Sequence, residues 1–588
     1  MESPKLYESS TQLSQMSNSK ENIGPFNPAQ AITDSLQHQL AVGSSHGSTK
    51  NDNRPLTIGA GKPFPPPLID SDNYVVEFDG PDDPEHPYNW SYFLKLRISA
   101  TACLGTLTAS FTSAIFAPGA SHASKAFGVG PEVGTLGTTL YILGFASGPL
   151  IWAPTSELIG RRWPLTIGML GVAIFTISAA VCKDIQTLII CRFFAGLFGA
   201  SQLSVVPAVL SDVYNSSQRG TAITIYSLTV FVGPFSAPFI GGFISSSSLG
   251  WRWTLYISAF MGFASVSLFM LLLKETYAPL LLVAKAEAIR RQTFNWGIHA
   301  KLDEVEVDNH ELIHKYFTRP LKILITEPIV LLISLYMSFI YGLVYALLEA
   351  YPYVFESVYG MSPGVGGLPF IAIIIGQLLA CGFIITQNSS YAKKLAANGN
   401  VAVPEWRLSP AIVGAPVFAV GIFWFPTKVW LDELHFSHPL DGPNCCGGIY
   451  RIWRPMHLPS LLQLSGRFLF ASVSLDLTPP VTCRWKLTIV FSRAASTVAA
   501  NIILRSAVAA GFPLFSKQMF ERLGVQWAAT LLGCLATTMI PIPLVFRAFG
   551  PLLRRKSRSA HESMRWLPTI RNNPFLKLLE RMLSTLKA

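Results

Sequence analysis

The chain has 588 residues, half of them hydrophobic and only 13% charged, with a formal net charge of +11. A soluble chain of this length divides into several domains with about a quarter of its residues charged. Long apolar runs in a charge-poor sequence exclude that class and point to a polytopic membrane protein. The positive balance fits Lys and Arg gathered on cytoplasmic loops. Nucleic-acid binding would need a basic face on a soluble domain, and no segment offers one.

Residues 1–88 are polar, rich in Ser, Asn, Gln and Pro, and lack an apolar period. They are expected to form a disordered cytoplasmic tail without a secretory signal. A helix needs about 20 apolar residues to cross the hydrocarbon core. Spans are predicted at roughly 95–118, 134–154, 164–182, 186–209, 220–245 and 252–273. A charged stretch of about 50 residues follows. Spans resume near 328–350, 365–387 and 409–430, with two more near 496–515 and 526–547. The interval 431–495 has room for one further span, so the plan is six plus six. The domains are a tail (1–88), a six-helix bundle (89–273), a cytoplasmic central loop (274–327), a second bundle (328–550) and a basic cytoplasmic tail (551–588).

Orientation follows from the cations. Arg161 and Arg162 lie between spans two and three, and Arg219 between four and five. Lys285, Arg290, Arg291, Lys301 and Lys315 lie in the central loop, and Lys393 and Lys394 after span eight. All fall on one side if both termini are cytoplasmic. The tail from Arg554 is basic and suits either an anionic lipid surface or water. The triplets at Asn89, Asn215 and Asn388 resemble glycosylation acceptors. They fall on the cytoplasmic side and are expected to be unused. The eight Cys show no metal-ligand or disulfide spacing. No GxxxxGK[ST] loop occurs, so ATP-driven transport is not expected. No cofactor and no metal are implied. A membrane enzyme would need a His, Cys or carboxylate cluster at helical spacing, and none is present.

Three stretches carry more specific chemistry. GPLIWAPTSELIGRR (148–162) sets Glu157, Arg161 and Arg162 between two apolar runs. Gly148 and Gly160 allow tight turns and close approach. Glu157 can accept from either arginine or from a helix N-terminus. The arginines could instead be plain topology anchors. CRFFAGLFGASQLSVVPAVLSDVY places Arg192 inside span four, at about 2.5–3.5 kcal/mol on insertion scales. It either faces a partner in the bundle or snorkels to the outer interface. Asp212 closes this span and is expected to pair with Arg219 or with the charged loop. VGPFSAPFIGGFI gives span five Gly233, Pro234, Pro238, Gly241 and Gly242, which favour close packing and bending.

These stretches, in this order, resemble the major facilitator superfamily. The variant GPLIWAP-SEL-GRR-PL is similar to fungal members of its twelve-helix drug:proton antiporter branch. HPYNWSYFLKLR, SFTSAIFAPG, WRWTLYI, YALLEAYPYVF and GVQWAATLLGCLA agree, and the resemblance covers about 88–430 and 493–547. It implies an all-α polytopic fold of two six-helix bundles and a monomer. It further implies transport of small molecules and protons in a lipid bilayer, most simply the plasma membrane, with the vacuolar membrane as the other site. It favours a conformational clasp of Gly148, Glu157, Gly160, Arg161, Arg162, Asp212 and Arg219. It favours a helix-five seal between the halves over an ordinary kinked packing helix. It also implies a proton-coupling role for Arg192.

Glu349 in span seven is a second candidate for the coupled proton, unless it sits at the outer interface among belt tyrosines. Tyr341 and Tyr345 could line a substrate cavity, with Phe111, Phe116 and Gln202 as weaker candidates. The implied activity is proton-coupled export of drugs or secondary metabolites by alternating access. A polyamine or nutrient carrier of the same fold is the alternative.

Span ten fits poorly. GPNCCGGIYRIWRPMHLPSLLQLSGRFLF carries Arg451, Arg454, His457 and Arg467, with Pro455 and Pro459 as breakers. Read one nucleotide later, the stretch near Ile449–His457 can give Tyr-Ile-Gly-Phe-Gly, which resembles the family's tenth helix. A frame error or retained intron over about 433–491 is therefore expected, against a real but divergent helix. A non-transporting membrane protein is the consequence if the span is truly lost.

Overall fold

The computed structural model describes residues 74–80, 82–215, 217–304, 320–358, 360–398, 403–436 and 489–556. Proline, which lacks the N–H that a first helical turn cannot use, opens many of the helices. The first half contains α1 (Tyr92–Ala114), α2 (Ala120–Phe127), α3 (Pro131–Ser147), α4 (Pro149–Leu158), α5 (Arg162–Val181), α6 (Ile185–Val213), α7 (Arg219–Ser246) and α8 (Arg252–Leu272). Asp184 caps α6 by accepting from the Thr187 amide (2.8 Å) and hydroxyl (2.6 Å), which meets one of the orphan donors of that terminus. The second half contains α10 (Pro328–Pro352), α11 (Pro363–Gly366), α12 (Pro369–Ala397), α13 (Ser409–Phe436), α14 (Ile489–Met539) and α15 (Pro541–Lys556), after α9 (Ala278–Thr293) in the central loop.

Ten stretches of the described residues are long and apolar enough to cross a membrane. The last, Val498–Ala548, has 51 residues. As one straight helix it would be about 75 Å long, more than twice the roughly 30 Å hydrocarbon core. Gly524 breaks it with φ 75° and ψ 160°, so it supplies two crossings. The predicted spans are found near their expected bounds. The main difference is α12, which runs to Ala397 rather than 387, because polar QNSSYAKKLAA continues the helix beyond the apolar run. The tenth span, and most of the 433–491 interval, lie outside the described residues. Large apolar side chains such as Ile174, Phe260, Leu271 and Leu379 point outward, as lipid-facing surfaces require.

No strand is present among the described residues. One β-bridge among the described residues joins Val75 to His299, and it corrects one expectation: residues 74–80 and 82–88 are not a disordered tail but are held to the central loop. The Val76 amide donates to the His299 carbonyl (2.9 Å) and the His299 amide to the Tyr74 carbonyl (3.0 Å). Lys285 of α9 lies 3.0, 3.6 and 3.5 Å from Asp79, Asp83 and Glu85. Opposite charges and backbone pairing order this segment, and neither leaves an apolar period in the sequence. The Asp83 carboxyl titrates below its ordinary range because the Asp79 and Glu85 amides donate to it.

The two halves meet along two seams. Helix α14 packs against α3 and α4, and α12 packs against α7. One apolar cluster lies between the halves and contains Phe111, Phe231 and Phe235 of the first with Tyr341, Tyr345 and Phe370 of the second. At one end of the seams, Asn388 of α12 donates to the Thr221 hydroxyl (2.8 Å) and the Ser217 carbonyl (3.3 Å). At the other, Gln518 donates to Glu132 (2.9 Å).

Candidate transport site

The charged loop after α4 folds around one buried ion pair and a set of hydrogen bonds. The turn requires Gly160, whose φ of 92° is in the left-handed region. The Arg161 guanidinium donates to Asp212 (3.1 Å) and to the Ser156 hydroxyl (2.8 Å), and lies 4.6 Å from the Tyr277 ring centre. Arg161 and Asp212 are both buried. Burial opposes the Arg161 charge, but Asp212, Glu157 and Tyr277 outweigh it and hold this guanidinium even above its ordinary value. Glu157 is buried beside the pair and acts on Arg161 electrostatically.

The anion that closes the turn is Glu275, which the sequence reading missed. It accepts from the amides of Arg161 (2.8 Å), Arg162 (3.0 Å), Thr276 (2.9 Å) and Tyr277 (2.9 Å). A Cβ on Gly160 would come within 2.5 Å of it. The only signal was one carboxylate directly after an apolar run. Arg162 donates to the Met270 carbonyl (2.9 Å) at the end of α8.

Asp212 pairs with Arg161 rather than with Arg219. The Arg219 guanidinium instead meets the Ser211 and Tyr214 carbonyls (3.2 and 3.5 Å) and the Tyr88 hydroxyl (3.3 Å). It therefore caps the C-terminal end of α6, where carbonyls lack helical partners. Gly148 packs against Ala200 of α6. Glu157, Gly160, Arg161, Arg162 and Asp212 are thus brought together and Arg219 lies at the same end of α6, whereas Gly148 lies apart, against the middle of α6.

Arg192 is fully buried and does not snorkel. Its guanidinium donates to the carbonyls of Gly137 (3.0 Å), Thr112 (2.7 Å) and Ser113 (2.9 Å). Tyr141 lies below it at 4.4 Å. Two of those carbonyls belong to the last turn of α1, so a cation caps that helix end. Ser113 continues the contact into the second half: its hydroxyl lies 3.0 Å from Tyr345, and Tyr345 lies 3.4 Å from Tyr341. Ser113 already donates to the Ser110 carbonyl (2.6 Å). Each hydroxyl has one proton, so Tyr345 donates to Ser113 and Tyr341 to Tyr345.

Arg505 of α14 lies 4.4 Å from the Tyr341 ring centre. It is 1% exposed, and the sequence reading overlooked it, although an Arg within ANIILRSAVAAG carries the same insertion cost as Arg192. Phe111 joins this inter-half cluster. Phe116 and Gln202 do not. Phe116 packs with Trp251 and Leu188 in a separate outer cluster. Gln202 donates to the Leu165 carbonyl (2.9 Å) within the first bundle. Glu349 is half-buried rather than in the aromatic cluster, within electrostatic reach of Lys517.

The helix-five residues form contacts of two kinds. Gly233 lies against Ser110 and Phe111 of α1, and Gly241 against Ile115 and Pro118 just beyond it. Gly242 faces the other half: a Cβ there would come within 2.5 Å of the Pro363 carbonyl. Pro234 and Pro238 sit inside α7 between these contacts.

This is the architecture of a polytopic membrane transporter: two helical bundles, a buried charged loop in one and a buried aromatic seam between them. The description Major Facilitator Superfamily fits residues 102–432, more than half of the chain, and the chain belongs to that family. It is 41% identical over 519 residues to the "Major facilitator superfamily multidrug transporter FLU1" of Candida albicans, covering 87% of this chain and 80% of the relative. It is 41% identical over 506 residues to the "Multidrug transporter TPO1_2" of Candida glabrata, covering 86% and 83%. It is 40% identical over 494 residues to the "Citrinin biosynthesis cluster MFS transporter mrr1" of Monascus ruber, covering 83% and 92%. Among solved structures, the proton:xylose symporter XylE shares the fold at a TM-score of 0.54 and 16% identity, covering 78% of this chain and 96% of that one.

Proposed function

We propose that this protein exports small amphipathic or toxic compounds in exchange for protons, by rocking its two halves about the seam. The reading rests on the joining of a closed clasp to relatives named as multidrug or biosynthetic-cluster transporters. In one state the clasp holds α4, α6 and the start of the central loop together. Its release frees the clasp end of the first bundle. Helix α7 supports the reading, because Gly242 lets its end approach the second half closely enough to seal. Arg192 fixes the end of α1 against α3, and its link through Ser113 and Tyr345 gives coupling a route across the seam. The proton carrier in this reading is Glu349, half-buried at membrane depth. Both termini lie in the cytoplasm, the membrane is the plasma membrane, and a monomer suffices.

The test is efflux from vesicles with and without a proton gradient. Gradient-dependent export of hydrophobic drugs is expected, and a panel of sensitivities in a deletion strain would define the range. Glu349→Gln should abolish gradient-driven efflux while leaving the protein in the membrane. Unchanged transport would remove that residue from the proton path.

A further inference from the structure

Arg505 is a buried cation that the fold does not satisfy. Its Nε and Nη1 atoms are enclosed and make no hydrogen bond, and it forms no ion pair among the described residues. It lies against the face of Tyr341, 4.4 Å from the ring centre, and within electrostatic reach of the Tyr226 hydroxyl. The hydroxyls of Tyr341 and Tyr345 are bonded to each other and to Ser113, and neither accepts from the Arg505 Nε or Nη1. A buried charge without a partner is costly, so retaining one in an apolar helix calls for a ligand of opposite sign.

Neighbouring polar groups are in the same condition. Asn501 lies one turn before Arg505 on the same face of α14, and its buried Oδ1 has no partner. Ala509, one turn after, packs in the cluster between the halves. Val498 and Ile502 pack against residues of the first half such as Trp152 and Tyr226. This face of α14 therefore lies on the seam. Across the cluster, Gln377 sits on the face of α12 that carries Ile373 and Ala380, and both of its side-chain polar atoms are buried and unbonded.

We infer that this seam binds the anionic end of an amphipathic organic acid. The Arg505 guanidinium would take the carboxylate, Asn501 and Gln377 the other polar groups, and the aromatic side chains the apolar body. Arg suits the role because its planar fork donates two parallel bonds to a carboxylate. The inference rests on the transport reading for its physiological meaning but not for its test.

The test uses three probes of one shape: 2-naphthoate, neutral 2-naphthamide and cationic 2-naphthylmethylammonium. Binding to the purified full-length protein in detergent, without a gradient, should favour naphthoate over both others by at least tenfold. Arg505→Gln should weaken naphthoate binding at least tenfold and naphthamide binding less than threefold. Arg505→Lys should keep part of the preference. Equal binding of the three probes by the unaltered protein would overturn the inference, and so would an equal loss of all three in Arg505→Gln. Because the first comparison needs no variant, a folding defect cannot obscure it. Tight naphthoate binding without efflux from vesicles would leave the anion site standing and sink the exporter reading.

Discussion

Arg192 and Arg505 are both fully buried in apolar helices, and the protein treats them differently. Arg192 meets three carbonyls and an aromatic face. Arg505 meets an aromatic face and leaves two nitrogens unbonded. The two are joined by a short path: Arg192 to Ser113, Ser113 to Tyr345, Tyr345 to Tyr341, and Tyr341 to Arg505. One end of this path is structural and saturated. The other end is open to chemistry from outside the fold. Burial alone does not distinguish a scaffold cation from a ligand-seeking one; the inventory of partners does.

The largest expected effect comes from replacing each arginine by Leu. Arg192→Leu leaves the buried Thr112 and Ser113 carbonyls at the end of α1 without this donor, at about 1–3 kcal/mol each, and takes a second bond from Gly137. It should lower the melting temperature of the detergent-purified protein by many degrees. Arg505→Leu removes an unpaired charge and should leave the melting temperature unchanged or raise it. Equal losses in the two variants would break the contrast.

Asp212→Asn would convert a third cation, Arg161, from the satisfied kind to the other. Breaking a buried pair from one side costs about 3–5 kcal/mol. Transport should fall sharply at unchanged protein level, and Arg161→Leu combined with Asp212→Asn should recover part of the lost stability. Non-recovery would show that the clasp holds through other contacts. Glu275→Gln keeps an oxygen for the Arg161, Thr276 and Tyr277 amides, which share one carboxylate oxygen, but turns an NH2 donor towards the Arg162 amide and removes the charge, so about 1–3 kcal/mol is expected. Its melting temperature should lie between those of the unaltered protein and Glu275→Ala.

The smallest effect concerns a charge near water. His299 is held above its ordinary value of 6.5, chiefly by the Gly297 carbonyl and then by Glu304. A raised folded value means its stabilising contribution is complete below about pH 6.5 and disappears as pH rises through that value. Proteolytic nicking of residues 297–304 should therefore quicken from pH 6 to pH 8, and His299→Gln should flatten that rise.

Much of the fold was legible because membrane crossing demands long apolar runs, and such runs survive any local irregularity. The charged loop was legible for a related reason: charges are rare here, so GRR and Asp212 stand out. Its pairing was not, since Asp212 could have met either Arg161 or Arg219, and only packing of α6 against the loop decides. Glu275 escaped because it acts on backbone amides, which carry no residue signature. Phe116 and Gln202 were grouped with the cavity because helical position alone does not tell an inter-half face from an intra-bundle one. The segment 74–88 escaped because ion pairs order it without an apolar period.

The position of Glu275 has a mechanical consequence. Its four amide bonds fasten the first residues of the central loop to the turn after α4. Further along, Lys285 and His299 fasten the same loop to the segment that leads into α1. Up to Glu304 the connection is thus an appendage of the amino-terminal bundle, carried with it as the bundle turns. A phosphate or a binding partner placed on residues 278–304 would load one half alone, and would bias the transport cycle from that side.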